Sequence, residues 1–193
     1  MAEAGYKQLI SYKLANIAFQ LGWDFVPQYY NKHEDGRQRD QIKQALRSHK
    51  QNIVEGSSER SLSTKLKLYD VAKSSGMEAQ EDFEDIARRE NLTIWSKNDP
   101  RLTKLRGVFE GYPPSSSNPS VPPFPSVKAV LGELEGIEGK EGLEAVINYL
   151  IDLLIRSGYL LDKQINAVEQ KHTREGGYSE NLLKKRLEYR KKP

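Results

Sequence analysis

The chain has 193 residues, of which 37% are hydrophobic and 30% are charged, and its formal net charge is +3. This length suits one domain of ordinary size, and the low apolar share is typical of amphipathic helices, or of an oligomer whose core is completed by partner subunits. The absence of cysteine excludes disulfides, thiolate metal sites and a cysteine nucleophile.

Apolar residues at helical spacing predict four long helices, over residues 6–30, 37–54, 61–89 and 141–171. Gly56 is expected to end the second helix, and Ser61 is expected to cap the third. The stripe predicted for the buried side of the first helix is Ile10, Leu14, Ile17, Leu21 and Phe25.

Shorter features separate the long helices. Asp99 followed by Pro100 is a typical helix start and predicts a brief helix over residues 100–107. Residues 112–126 are rich in proline and serine and predict an extended linker or loop, and glycines are expected to keep the next stretch irregular. Gly176 and Gly177 should stop the last long helix, and Ser179 should cap a final basic helix over residues 180–190.

These elements predict an all-α fold, an up-and-down four-helix bundle with short extra helices. Residues 1–171 would form the bundle, and residues 172–193 a basic C-terminal appendage. The short helix and the Pro/Ser-rich loop would lie between the third and fourth long helices.

Clustered cations indicate where nucleic acid could bind, because phosphate contacts need such clusters and weaken steeply with salt. The alternatives are a solvated helix face, ion pairs with the acids of residues 81–85, and, for the C-terminus, a solubilising tail. The candidate nucleic-acid-binding residues are Arg39, Lys43, Arg47, Lys50, Arg60, Lys65, Lys67, Lys184, Lys185 and Arg186.

A polar set falls on one side of the second helix: Gln41, Ser48, Asn52 and Glu55. An unpaired buried polar group costs ~1–3 kcal/mol, so these side chains are predicted to join a hydrogen-bond network between helices that fixes their register. The alternative is contact with a ligand or RNA. His49, a lone histidine at an inner position, is expected in the core or an interface rather than as a ligand.

Residues 39–56, which read RDQIKQALRSHKQNIVEG, resemble the motif of the four-helix-bundle family of ribosomal-RNA intervening-sequence proteins. Residues 159–165 and 175–182 are similar to the "suffix" variety of that family, although Val54 stands where a small alanine is usual. The motif is matched at Gln41, Arg47, Ser48, Asn52, Ile53, Glu55 and Gly56.

The resemblance implies a helical bundle that assembles into a homo-oligomeric ring, commonly a pentamer. It also implies nucleic-acid or ribonucleoprotein binding, and one relative is the accessory protein of a retroelement reverse transcriptase. No catalytic residue is established for the family, so none is carried over.

Together these observations predict a non-enzymatic oligomeric scaffold that binds nucleic acid, RNA in preference to DNA, without a metal or cofactor. The alternative is a protein-interaction adaptor, such as a reverse-transcriptase accessory subunit, without direct nucleic-acid contact. No apolar stretch is long enough to span a bilayer and no leader pattern is visible, so no membrane partner and a cytoplasmic location are expected.

Overall fold

The computed structural model describes residues 5–110, 126–134 and 137–190. Within these ranges all regular secondary structure is helical, which confirms the predicted all-α class. Two 3-10 helices cover Gly5–Gln8 and His33–Asp35. The α-helices are α1 (Ile10–Tyr29), α2 (Gly36–Ser58), α3 (Leu62–Arg89), α4 (Pro100–Phe109), α5 (Val127–Glu133), α6 (Gly139–Glu175) and α7 (Tyr178–Arg190). The predicted Pro/Ser-rich loop, apart from Ser126, lies outside the described residues.

The four long helices surround one core. α1 packs on α2 and α6, and α3 packs on the same two helices, while α4 and α5 cover part of α6. Large apolar side chains from all four long helices fill this core, and several are fully buried: Leu14, Leu21, Leu46, Phe83, Ile86, Leu150 and Leu153. A smaller apolar cluster lies around Ile53, Tyr69 and Leu161.

Glycine at position 56 serves close packing, and the predicted end of α2 at this residue is wrong. The helix continues to Ser58. Gly56 is buried against the next helix, and a Cβ there would lie 2.6 Å from Cε1 of Tyr69. α3 then begins as predicted, because Oγ of Ser61 accepts a hydrogen bond from the backbone N–H of Thr64 at 3.4 Å.

Side chains at other helix ends explain both the agreements and the differences. Asp99 caps α4 as predicted, accepting from the N–H of Arg101 at 2.9 Å. The stretch predicted to be irregular contains α5, because Oγ of Ser126 accepts from the N–H of Ala129 at 3.1 Å. At the start of α7 it is Glu180, rather than the predicted Ser179, that accepts a backbone N–H, from Gly177 at 3.1 Å.

Ile10 was predicted to belong to the buried stripe of α1, but it is the first residue of that helix and its side chain is exposed. No helix in the described ranges combines the length and apolar character that crossing a lipid bilayer requires.

Candidate nucleic-acid interface

The basic stripe of α2 lies against two aromatic rings of α1. Nζ of Lys43 sits 3.7 Å from the ring centroid of Trp23, and Nζ of Lys50 sits 3.6 Å from that of Phe19. The two rings are neighbours, with centroids 5.2 Å apart and planes tilted by 41°. Arg47, one helical turn from each lysine, is exposed. We call Phe19, Trp23, Lys43, Arg47 and Lys50 the cation–aromatic face.

Close approach of α1 and α2 produces this face. Gly22 faces Leu46, and a Cβ at Gly22 would overlap Cδ1 of that leucine. The helices run in opposite directions, so that Trp23 meets Lys43 and Phe19 meets Lys50. A larger residue at position 22 would require the Leu46 side chain to shift.

One cation and two acids neighbour this face. Arg39 extends the stripe toward the start of α2 and donates to the carbonyl of Tyr30 at 3.4 Å. Asp24 of α1 accepts the backbone N–H of Val127 at 2.8 Å and so is turned toward α5. Asp40 is an exposed acid on α2 itself.

The remaining candidate cations lie elsewhere, and the structure does not join all ten into one surface. Arg60 and Lys67 are exposed near the turn from α2 to α3. Lys65 is half-buried and donates to the carbonyl of Ser57 at 3.0 Å. Burial lowers the pKa of Lys65, and the positive charge of Lys171 on α6 lowers it further, against an opposing effect of Glu59.

The C-terminal cations are presented on a separate arm. α6 extends past its last buried residue, Leu161, and leads into α7, in which residues 182–190 are all exposed. Lys184, Lys185 and Arg186 therefore face solvent. At the base of this arm, Tyr178 lines a cavity of about 560 Å³ together with Arg60 and Leu68.

Within the described part of the chain, the ten candidate cations form no ion pairs, whereas Arg88 and several other arginines do. Among the residues that the structure describes, none of the ten has a carboxylate oxygen within 4.0 Å. Arg88 pairs with Glu81, Glu84 and Asp85, and Asp82 accepts a hydrogen bond from Gln38 at 3.0 Å. Within one chain, therefore, the acids of residues 81–85 contact groups other than the basic stripe.

The predicted polar network is smaller than expected and includes a residue that the sequence did not indicate. Ser75 of α3 donates to Oγ of Ser48 at 2.9 Å, and Asn52 donates to the same oxygen at 3.1 Å. Gln41 and Glu55 are exposed instead. Each lies seven residues from Ser48, about 10 Å along the axis, where this flank of α2 opens to solvent.

His49 is a core residue, as predicted, and links the long helices. Its Nδ1 donates to the carbonyl of Ala72 at 2.7 Å, and its Nε2 lies 2.9 Å from Oγ of Ser157. Ser157 in turn lies 3.0 Å from the carbonyl of Ser11. Burial lowers the pKa of His49, and the bond to Ala72 only partly opposes this effect. A Cβ at Gly76 would lie 2.7 Å from Nδ1, so glycine is required beside the ring.

A cavity of about 590 Å³ lies between the 93–99 segment, α4 and α6, and sequence reasoning did not find it. Asp152, 7% exposed, accepts two hydrogen bonds from Arg106, at 2.6 and 3.0 Å, and one from Arg156 at 3.3 Å. Arg156 also makes two bonds to Glu110, both 2.7 Å. The Arg106–Asp152 and Arg156–Glu110 partners are 46 positions apart in sequence, so no local pattern predicts these two contacts.

Exposed apolar residues surround this cavity and a second one of about 430 Å³. Ile155 and Tyr159 line both cavities, and Met77 lines the second. All three side chains are largely exposed. We call Met77, Ile155 and Tyr159 the apolar face. In the part of the chain that is described, no group of three or more His, Asp or Glu is arranged to hold a metal ion.

Comparison of the chain with protein-family models, with curated proteins and with solved structures finds no match in any of the three.

Proposed function

We propose that the protein is a non-enzymatic, cytoplasmic scaffold that binds nucleic acid through the basic stripe of α2. In this proposal the four long helices form an up-and-down four-helix bundle of the intervening-sequence type that the sequence resembles. The chain assembles with copies of itself, as a pentamer by the same resemblance. RNA is the favoured ligand, and the arm that carries Lys184, Lys185 and Arg186 adds affinity without sequence choice.

One observation carries the proposal: the cations of α2 are clustered without acidic partners. From Arg37 to Lys50 the helix has five cations and one acid, Asp40. None of these five cations has a carboxylate oxygen within 4.0 Å among the described residues. Such a surface attracts phosphates and releases their counterions, whereas paired cations have less to gain.

Filter binding of RNA and of DNA over a series of salt concentrations tests this proposal. The stripe variant, Lys43→Gln/Arg47→Gln/Lys50→Gln, should weaken binding and reduce the slope of log affinity against log salt by about 2–3. The control variant removes the same charge from exposed lysines on α4, α5 and α6. Its substitutions are Lys104→Gln, Lys128→Gln and Lys140→Gln. Equal slopes in the two variants, or no binding by the unaltered protein at low salt, would contradict the proposal.

A second candidate function is favoured by the apolar face. Contiguous exposed apolar residues with adjoining cavities are typical of protein–protein contacts. This face is the proposed contact between copies, and it would equally serve an adaptor such as a reverse-transcriptase accessory subunit. Light scattering before and after nuclease treatment measures assembly without bound nucleic acid.

In that measurement Ile155→Glu should dissociate the assembly, whereas Leu183→Glu on the exposed arm should not. A monomer in both nuclease conditions would contradict self-assembly. A stable assembly that binds no nucleic acid would favour the adaptor.

A further inference from the structure

Trp23 is an exposed aromatic residue whose ring contacts a lysine of the basic stripe. The indole is 45% exposed, whereas Trp95, the other tryptophan, is 7% exposed. Phe19 is half-buried and continues the aromatic surface along α1 toward Lys50. The rings and the lysines belong to different helices, so the combination exists only in the folded chain.

The surroundings of Lys50 disfavour its positive charge. Burial lowers the pKa of Lys50, and the neighbouring Arg47 lowers it further. The ring of Phe19 therefore receives a cation that is partly desolvated and repelled by a neighbour. A phosphate placed between Arg47 and Lys50 would offset both effects.

The geometry distinguishes between forms of nucleic acid. Along the helix axis Phe19 and Trp23 are about 6 Å apart, and Lys43 and Lys50 are about 10 Å apart. The aromatic pair thus lies alongside a longer cationic row. In a duplex the faces of the bases are already stacked on one another, so an exposed indole finds no base to stack on. A single strand offers base faces and phosphates together.

We infer that the cation–aromatic face binds single-stranded polynucleotide, with a base stacked on Trp23 and phosphates bound by Lys43, Arg47 and Lys50. This inference rests on the proposed function and names the form of ligand that the surface takes. Lys43, now over the indole, moves to a phosphate as the base takes its place. The chemistry is shared by RNA and DNA, and the sugar contacts distinguish them.

Fluorescence anisotropy with three labelled probes tests the inference: a 20-nucleotide oligouridylate, a 20-nucleotide oligothymidylate and a 20-base-pair DNA duplex. The unaltered protein should bind the single strands more tightly than the duplex. Trp23→Ala should weaken single-strand binding about 5- to 100-fold, while Trp23→Phe should keep most of the affinity, since base stacking is sequence-tolerant but needs a ring. The control Ile10→Ala removes an exposed apolar side chain of α1 that belongs to neither named face, and it should change nothing.

Failure of this inference can be told apart from failure of the proposed function. If Trp23→Ala binds single strands as well as the unaltered protein does, while the stripe variant loses affinity, stacking is refuted and the basic surface stands. If the duplex binds as tightly as the single strands, the inference is also wrong. If the unaltered protein binds no probe at low salt, both proposals fail. Far-ultraviolet circular dichroism of each variant confirms that it is folded.

Discussion

Replacement of Gly76 by alanine provides a direct test of how the buried histidine holds the long helices together. The new Cβ would lie 2.7 Å from Nδ1 and 2.8 Å from Cε1 of His49, too close for either atom to stay in place. The ring would have to leave its bonds to Ala72 and Ser157, which measure 2.7 and 2.9 Å. The perturbation is therefore a single methyl group that disconnects one buried side chain.

The two opposing contributions can be estimated. Alanine is favoured over glycine inside a helix by ~1 kcal/mol. Two lost hydrogen bonds at ~0.5–1.5 kcal/mol each, with a penalty of ~1–3 kcal/mol for a buried group left unpaired, outweigh that gain. We expect Gly76→Ala to lower the free energy of unfolding by about 1–5 kcal/mol and, at roughly 2–4 °C per kcal/mol for a chain of this size, to lower the Tm accordingly.

Urea denaturation followed by circular dichroism measures this change. The matched control is Gly107→Ala in α4, where no atom lies within 4 Å of the new Cβ, so that only the gain of up to ~1 kcal/mol is expected. In a protein that already carries His49→Ala, Gly76→Ala should cost less than in the unaltered chain, because the two sites share one contact. Equal stability of Gly76→Ala and Gly107→Ala would refute the steric argument.

Two further predictions concern buried polar groups. Burial holds the pKa of His49 below its ordinary 6.5, so the unfolded chain takes up the proton first. The free energy of unfolding should therefore have its full value above pH 6.5 and fall as the pH drops below 6.5. The fall should be smaller in His49→Gln, and urea denaturation from pH 5 to 8 measures both. A flat profile would mean that the imidazolium is accommodated, donating to Ala72 and Ser157. Asp152→Asn removes the charge that faces two half-buried arginines and should cost about 3 kcal/mol in the same assay. Asp162→Asn breaks a more exposed pair with Lys73 and should cost under ~1 kcal/mol, and equal costs would contradict this account.

Much of the candidate site could be located from sequence, but its most informative part could not. Spacing of four, four and three placed Arg39, Lys43, Arg47 and Lys50 on one flank of α2, where the structure has them. The aromatic partners lie on α1, 20 positions from Lys43 and 31 positions from Lys50, and neither Phe19 nor Trp23 belongs to a local basic motif. The available signal was that Trp23 lies off the apolar stripe of α1, and this position identifies no partner.

The sequence by itself determined the helical class, the number of long helices and most of their ends, because these depend on periodicity and on local caps such as Ser61 and Asp99. Only the tertiary structure decided which glycines end a helix and which admit a neighbour. A local pattern treats Gly56 and Gly22 as helix-weakening residues, yet both lie inside helices, where they make room for Tyr69 and Leu46. The distance between neighbouring helices decides this role, and a local pattern does not report that distance. The same distance brings two lysines over two rings and so decides what this surface offers to a ligand.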